Sequence, residues 1–255
     1  MRNSNPTENT GQIIQGDGDV FLGSCFIFRY PSFALTADHV VNDRDPGKLF
    51  VRFPGSRAGD RLFAVKHVFS HPNADLAVIE IEAPPERDIT WPVYQVFNDF
   101  SYGVDIVSFG YPASFDGTGL TPTPRFFKGY VQRFYNHTSH LGYNYVAAEI
   151  NFSCPAGLSG SQVLNEQLHG RLYGVVTENL RTSSEIESVT EVNDDGKEYK
   201  ESYHNIISYG IVLWLPDCAD WLDEIVPIVS QDEIQRRSKN QHKWNAEETP
   251  PNQDD

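Results

Sequence analysis

An all-β architecture of two small antiparallel barrels is predicted for this chain of 255 residues. Three observations predict it. Short apolar segments recur along the chain, bounded by glycine, proline, asparagine or aspartate. They fall into two sets of about six, on either side of a proline-bearing connector. No helical periodicity interrupts the first set.

In chain order, residues 1–17 read as a loose N-terminal arm, polar at its start. The first set of strands is expected at 20–22, 25–28, 33–36, 48–53, 61–65 and 76–81, with turn residues at 43–47, 54–59 and 71–73. Residues 83–100, with Pro84-Pro85 and Trp91-Pro92, form the connector. The second set follows at 105–109, 129–134, 145–150, 162–164, 172–177 and 206–215. Between its last two members, residues 181–205 carry seven acids and three bases, with Asp195-Gly196 between alternating flanks. This predicts an exposed hairpin excursion. Asp217 is expected to cap a short helix, 217–226, ended by Pro227. The polar tail 231–255 is expected to be disordered. One unit, 18–230, thus holds barrel one at about 18–97, barrel two at about 98–216 and the helix.

Composition narrows the function. A hydrophobic content of 39% suffices for a buried core, and a net charge of −15 argues against a nucleic-acid or anionic-membrane surface. The acidity favours basic partners weakly. The first ten residues lack the apolar core of a signal peptide, and no apolar run is long enough to cross a bilayer. Cys25, Cys154 and Cys218 make an odd count without CxxC spacing, which indicates neither a disulfide framework nor a zinc site. No histidine pair has metal-ligand spacing. No metal and no cofactor are expected, and a reducing, cytoplasmic setting fits best.

The chemistry is carried by three motifs in order. Thr36-Ala37-Asp38-His39 presents a histidine at what reads as a strand end, rigid yet open to a cleft. Asp75 precedes the apolar run Leu76-Ala77-Val78-Ile79, which would set a carboxylate where a strand enters the core. Ser159 sits in Gly157-Leu158-Ser159-Gly160-Ser161. Serine is a poor nucleophile at neutral pH, so it needs a base, and the base needs an orienting acid. His39 is that base, Asp75 the acid and Ser159 the nucleophile. Asp38 competes with Asp75, but it is adjacent to His39 and its side chain should face the other side of the strand. Ser161 is the rival nucleophile. The flanking glycines permit a tight turn in which the amides of Gly157 and Ser159 form an oxyanion hole. His67 and His71 read as surface residues.

A histidine, then an aspartate, then a glycine-flanked serine is the chain order of chymotrypsin-type proteases. Over roughly residues 18–226 the chain resembles the trypsin/chymotrypsin family, most closely its bacterial trypsin-like branch. Gly23-Ser24-Cys25-Phe26-Ile27, Leu35 to Val41, His71-Pro72 to Ile79, Gly103 to Pro112 and Tyr209-Gly210-Ile211 carry the resemblance. It implies a chymotrypsin-like fold of two six-stranded barrels with a short C-terminal helix, and a serine endopeptidase acting on a protein or peptide. It also implies a substrate pocket with Ser153 at its floor, Thr177, Glu178 and Asn179 as one wall, and the other wall near Gly210. Leu158 stands where secreted members carry the aspartate that pairs with a new N-terminus, so activation by cleavage is not expected. A restricted protein substrate, as in a bacterial defence system, fits a compact protease of this kind. The alternative is a catalytically weak trypsin-like fold that binds a protein partner. The oligomeric state does not follow from the sequence.

Overall fold

The computed structural model describes residues 6–16, 20–84, 95–96, 101–113, 123–166, 171–192, 195 and 197–227. A helical turn α1 (Pro6–Asn9) leads into β1 (Thr10–Gln15), β2 (Val20–Phe28), β3 (Tyr30–Thr36), the turn α2 (Asp38–Val41), β4 (Leu49–Phe53), β5 (Gly59–Ser70) and β6 (Ala77–Ile81). These six strands close into a barrel in the order β1-β2-β3-β6-β5-β4. The second sheet is built from β7 (Gln95–Val96), β8 (Asp105–Gly110), β9 (Arg125–Thr138), β10 (Asn144–Ile150), β11 (Gln162–Asn165), β12 (Arg171–Val192) and β13 (Glu198–Trp214). Its order is β11-β8-β9-β10-β13-β12-β7, and β11 also pairs with β12, bringing the six longer strands into a ring.

Strand alternation explains why the strands read as nearly unbroken apolar runs. On β2, Cys25 and Ile27 point into the core of barrel one, whereas Phe26 and Phe28 point into a second cluster. That cluster also receives Leu35, Leu76 and Val78 from barrel one, and Tyr145, Ala147, Val175, Ile211 and Leu213 from the second sheet. The second sheet's own core takes Ala148, Ile150, Val176, Val212 and Trp214 from the opposite faces. Strands at the junction are therefore buried on both sides. The shared core between the barrels fixes their relative position, and with it the cleft discussed below.

Two expectations are corrected. Residues 10–15 do not belong to a loose arm: β1 pairs with both β2 and β4 and closes barrel one. Its polar side chains are buried with partners, Gln12 Oε1 accepting from Arg52 Nε at 2.6 Å and Thr10 Oγ1 accepting from Gln162 Nε2 at 2.9 Å. The C-terminal helix α3 runs Ala219–Ile225, after a 3-10 turn at Leu215–Cys218. Asp217 lies in that turn, and no side chain caps α3. Arg29 fastens α3 to barrel one, donating to Val226 O and pairing with Asp223. The excursion at 181–205 is a hairpin, formed by the outer halves of β12 and β13. Gly196, most of the connector 83–100 and the tail 231–255 lie outside the described residues.

Candidate active site

His39 lies just past the end of β3, in the helical turn α2 rather than on the strand itself. That turn aims both its amide and its ring at one carboxylate. The His39 N–H donates to Asp75 Oδ1 at 2.9 Å, and His39 Nδ1 lies 2.7 Å from Asp75 Oδ2. The Asp75 side chain is 1% exposed and the His39 ring 27%. A carboxylate held on both oxygens cannot rotate away, so the ring orientation is fixed.

The loop bearing Asp75 is stiffened by His71, whose N–H donates to Leu76 O at 2.8 Å. Its Nδ1 accepts from the amides of Asn73 and Ala74 at 3.2 and 3.0 Å. His71 is half-buried, not a surface residue, and packs edge-on against Trp221. Burial lowers its pKa from the usual 6.5, with Asp38 opposing the shift.

Asp38 opens α2 and turns away from the imidazole of His39. Its Oδ2 accepts a 2.6 Å hydrogen bond from Tyr143 Oη, from the turn between β9 and β10. Burial and this bond hold the Tyr143 phenol well above its ordinary pKa. Next to it, Asn144 N donates to Asn73 O at 2.9 Å. The second sheet is thus tied across both elements that carry His39 and Asp75.

Ser159 occupies the loop entering β11. Gly157 and Gly160 have φ of +87° and +88°, and a Cβ on Gly160 would collide with Ser24 O and Thr36 Oγ1. Only glycine fits there. Ser24 binds this loop from β2: its N–H donates to Ser159 O at 2.9 Å, and its hydroxyl donates to Gly157 O at 2.8 Å while accepting from Tyr111 N at 2.9 Å. Leu158 is fully buried in the core of the second sheet, an apolar anchor for the loop. Ala156 O is held by Ala113 N at 2.7 Å. In a planar trans peptide the N–H points opposite to the carbonyl, so the Gly157 N–H faces away from Ala113. Among the described residues, neither Gly157 N nor Ser159 N donates to a protein acceptor.

The Ser159 hydroxyl donates to Thr177 O at 3.2 Å, and no hydrogen bond joins it to His39 among the described residues. Ser161 is fully buried, which removes it as a rival nucleophile. Cys25 and Cys154 are buried and free, their thiol pKa values pushed well up by burial, and Cys218 is pushed up to about 12. No thiolate competes with the serine at neutral pH.

Of the residues expected to line a pocket, Ser153, Asn179 and Gly210 are joined to one another, and Thr177 and Glu178 have other partners. Thr177, beside Ser159, donates to Ile211 O at 3.1 Å. Asn179 Oδ1 accepts from Ser153 Oγ and Cys154 N, both at 3.1 Å, and Asn179 pairs with Gly210 across the ladder. Glu178 lies 3.4 Å from His137 and 3.7 Å from His140. An open cavity of about 380 Å³ lies behind the Asp75 loop, lined in part by His71, Asn73, His137, Tyr145 and Cys218; His39, Asp75 and Ser159 do not line it. Among the described residues, no cluster of histidine, cysteine and carboxylate side chains could hold a metal, and no helix is long and apolar enough to cross a membrane.

Sequence reasoning missed Ser24, Tyr143, His137 and His140 as site residues. Ser24 stands in the Gly23–Ile27 motif, but the partners that make it a site residue lie in the other barrel. Tyr143 and the two histidines carry no local pattern.

The fold and this arrangement define a two-barrel hydrolase-type scaffold. The model of the trypsin-like peptidase domain matches residues 23–175, and the chain belongs to that family. The structure is similar to the protease domain of MamO from Magnetospirillum magneticum, with a TM-score of 0.59 and 14% identity over 85% of this chain and 96% of that one. It is also similar to the active form of the Rv3671c protease from M. tuberculosis, with a TM-score of 0.58 and 18% identity over 88% and 83%. The inactive form of Rv3671c gives 0.55 and 19% over 87% and 90%. At these identities the likeness is one of fold. No curated protein sequence matches the chain.

Proposed function

We propose that this chain is a serine endopeptidase working through His39, Asp75 and Ser159. The observation that carries the reading is the double hold of buried Asp75 on His39, through amide and ring. With Nδ1 directed at a carboxylate, that nitrogen carries the hydrogen and Nε2 keeps its lone pair as the base. Ser159 Oγ attacks the peptide carbonyl as its proton passes to His39 Nε2. The resulting oxyanion is received by the amides of Gly157 and Ser159, neither of which donates to a protein acceptor among the described residues. Each such donor is worth about 2.7–4 kcal/mol of barrier. Collapse breaks the C–N bond, His39 returns the proton to the amine, and water hydrolyses the acyl-enzyme by the same steps.

Two features support a loop that is competent without activation cleavage. Leu158 is anchored by burial, and Ser24 grips the loop on either side of it. Ser153, Thr177, Glu178, Asn179 and Gly210 are assigned to substrate binding. Three free, buried cysteines support a reducing, cytoplasmic compartment. Release of new amino termini from reduced, carboxymethylated casein tests the reading. Turnover that Ser159→Ala abolishes is expected; equal turnover in that variant would contradict it.

The bond from Ser159 Oγ to Thr177 O favours a second reading, a protein-binding module with weak turnover. In that case Ser159→Ala retains the full cellular effect of the protein.

A further inference from the structure

Beyond Leu180 and Tyr209, β12 and β13 pair only with each other, from Arg181↔Ser208 to Val192↔Glu198. β11 reaches β12 only as far as Val175, and β10 reaches β13 only as far as Gly210. Both outer edges of this arm are therefore unpaired among the described residues. At about 3.3 Å per residue the arm reaches roughly 40 Å. All of 181–190 and 197–207 are exposed, with Ile186 at 70%, Ile206 at 64% and Tyr203 at 56%. A long, exposed strand edge bearing large apolar side chains is a template for another extended chain.

Register orders the chemistry along it. Residues directly opposite share a face. One face therefore carries, moving outward, the pairs Leu180–Tyr209, Thr182–Ile207, Glu187–Tyr203 and Val189–Glu201. The same face begins at Glu178–Ile211, beside Thr177 and so beside Ser159. Glu187, Glu198 and Glu201 make no ion pair among the described residues, while Lys200 sits 4.0 Å from Glu185.

We propose that the arm docks a stretch of the cleaved polypeptide itself: an extended segment in which basic and apolar side chains alternate. The proposal rests on the peptidase reading above. Main-chain hydrogen bonds to a free edge supply affinity, and alternate side chains supply selection. A lysine or arginine can lay its stem on Tyr203 and its charge on Glu187 or Glu201. A second copy of this chain fits poorly, because its net charge of −15 would set acid against acid.

The test uses the full chain carrying Ser159→Ala and fluorescein-labelled decapeptides, (Lys-Val)5 and (Glu-Val)5, followed by anisotropy. The first is expected to bind, more weakly as salt rises, and the second not to bind. The pair Glu187→Lys/Glu201→Lys, and separately Tyr203→Ser/Ile207→Ser, should weaken (Lys-Val)5 at least tenfold. In chains that retain Ser159, the same arm substitutions should leave fluorophosphonate labelling of Ser159 unchanged, which shows the barrels intact. Binding within twofold of the parent in both pairs would overturn the proposal, as would a loss of labelling that accompanies the loss of binding. Arm-dependent binding in a protein whose Ser159 is never labelled would sink the peptidase reading and leave the docking surface standing.

Discussion

The Ser24 amide of one barrel holds the Ser159 carbonyl of the other at 2.9 Å, so the geometry of the proposed nucleophile is set by both halves of the fold. The same residue's hydroxyl bridges Gly157 O and Tyr111 N in a fully buried position. Ser24→Ala keeps the amide bond but strands two buried polar groups, each worth about 1–3 kcal/mol. The variant should lower the urea midpoint and slow turnover together. An unchanged midpoint would show that Ser24 is not a strut.

Leu158 anchors the Ser159 loop by burial. Leu158→Ala should cost about 2–5 kcal/mol of stability, in line with other buried leucines. Leu158→Asp should do worse, since the carboxylate would enter an apolar core beside Ile106, Val163 and Tyr173. Equilibrium denaturation measures both. If Leu158→Asp were as stable as the parent, the loop would have a cationic partner that the described residues do not contain.

Asp75 and Asp38 are both buried, 1% and 2% exposed, yet among the described residues it is Asp75, not Asp38, that hydrogen-bonds to His39. Asp75→Asn should reduce turnover by roughly 10⁴-fold, because an amide favours the wrong imidazole tautomer. Asp38→Asn keeps an acceptor for Tyr143 and should cost far less. Turnover of one peptide ester by both variants decides this. A more damaging Asp38→Asn would mean that the orienting acid is misassigned.

How much of this was legible in the sequence depended on where each residue's partners lie. The His39, Asp75 and Ser159 motifs are local, and their order along the chain pointed to the site. The strands of the junction were equally plain, because burial on both faces leaves little polar alternation in 25–28 or 76–79. Thr10 and Gln12 hid β1, since buried polar side chains look exposed until Gln162 and Arg52 are seen beside them. Asp38 competed with Asp75 in the sequence; its partner is Tyr143, 105 residues away. Helical geometry at α2, not strand alternation, sends Asp38 and His39 in different directions.

The His71 ring gives the fold a pH dependence. Its folded pKa is lowered, mainly by burial, so the unfolded chain takes up this proton first as pH falls. The stabilisation is fully present above the unfolded value of 6.5 and is lost as pH falls from there toward the folded value. The urea midpoint should therefore drop as pH falls through and below about 6.5, and His71→Asn should flatten part of that slope. Parallel curves for the two proteins would show that His71 is not the group responsible.

The central claim is that Ser159 is an activated nucleophile. A fluorophosphonate probe followed by peptide mass spectrometry measures this directly. The account predicts a single adduct on Ser159 in the folded chain, lost in Ser159→Ala and strongly slowed in His39→Ala. A folded chain that acquires no adduct on Ser159, or acquires it at the same rate without His39, would contradict the account.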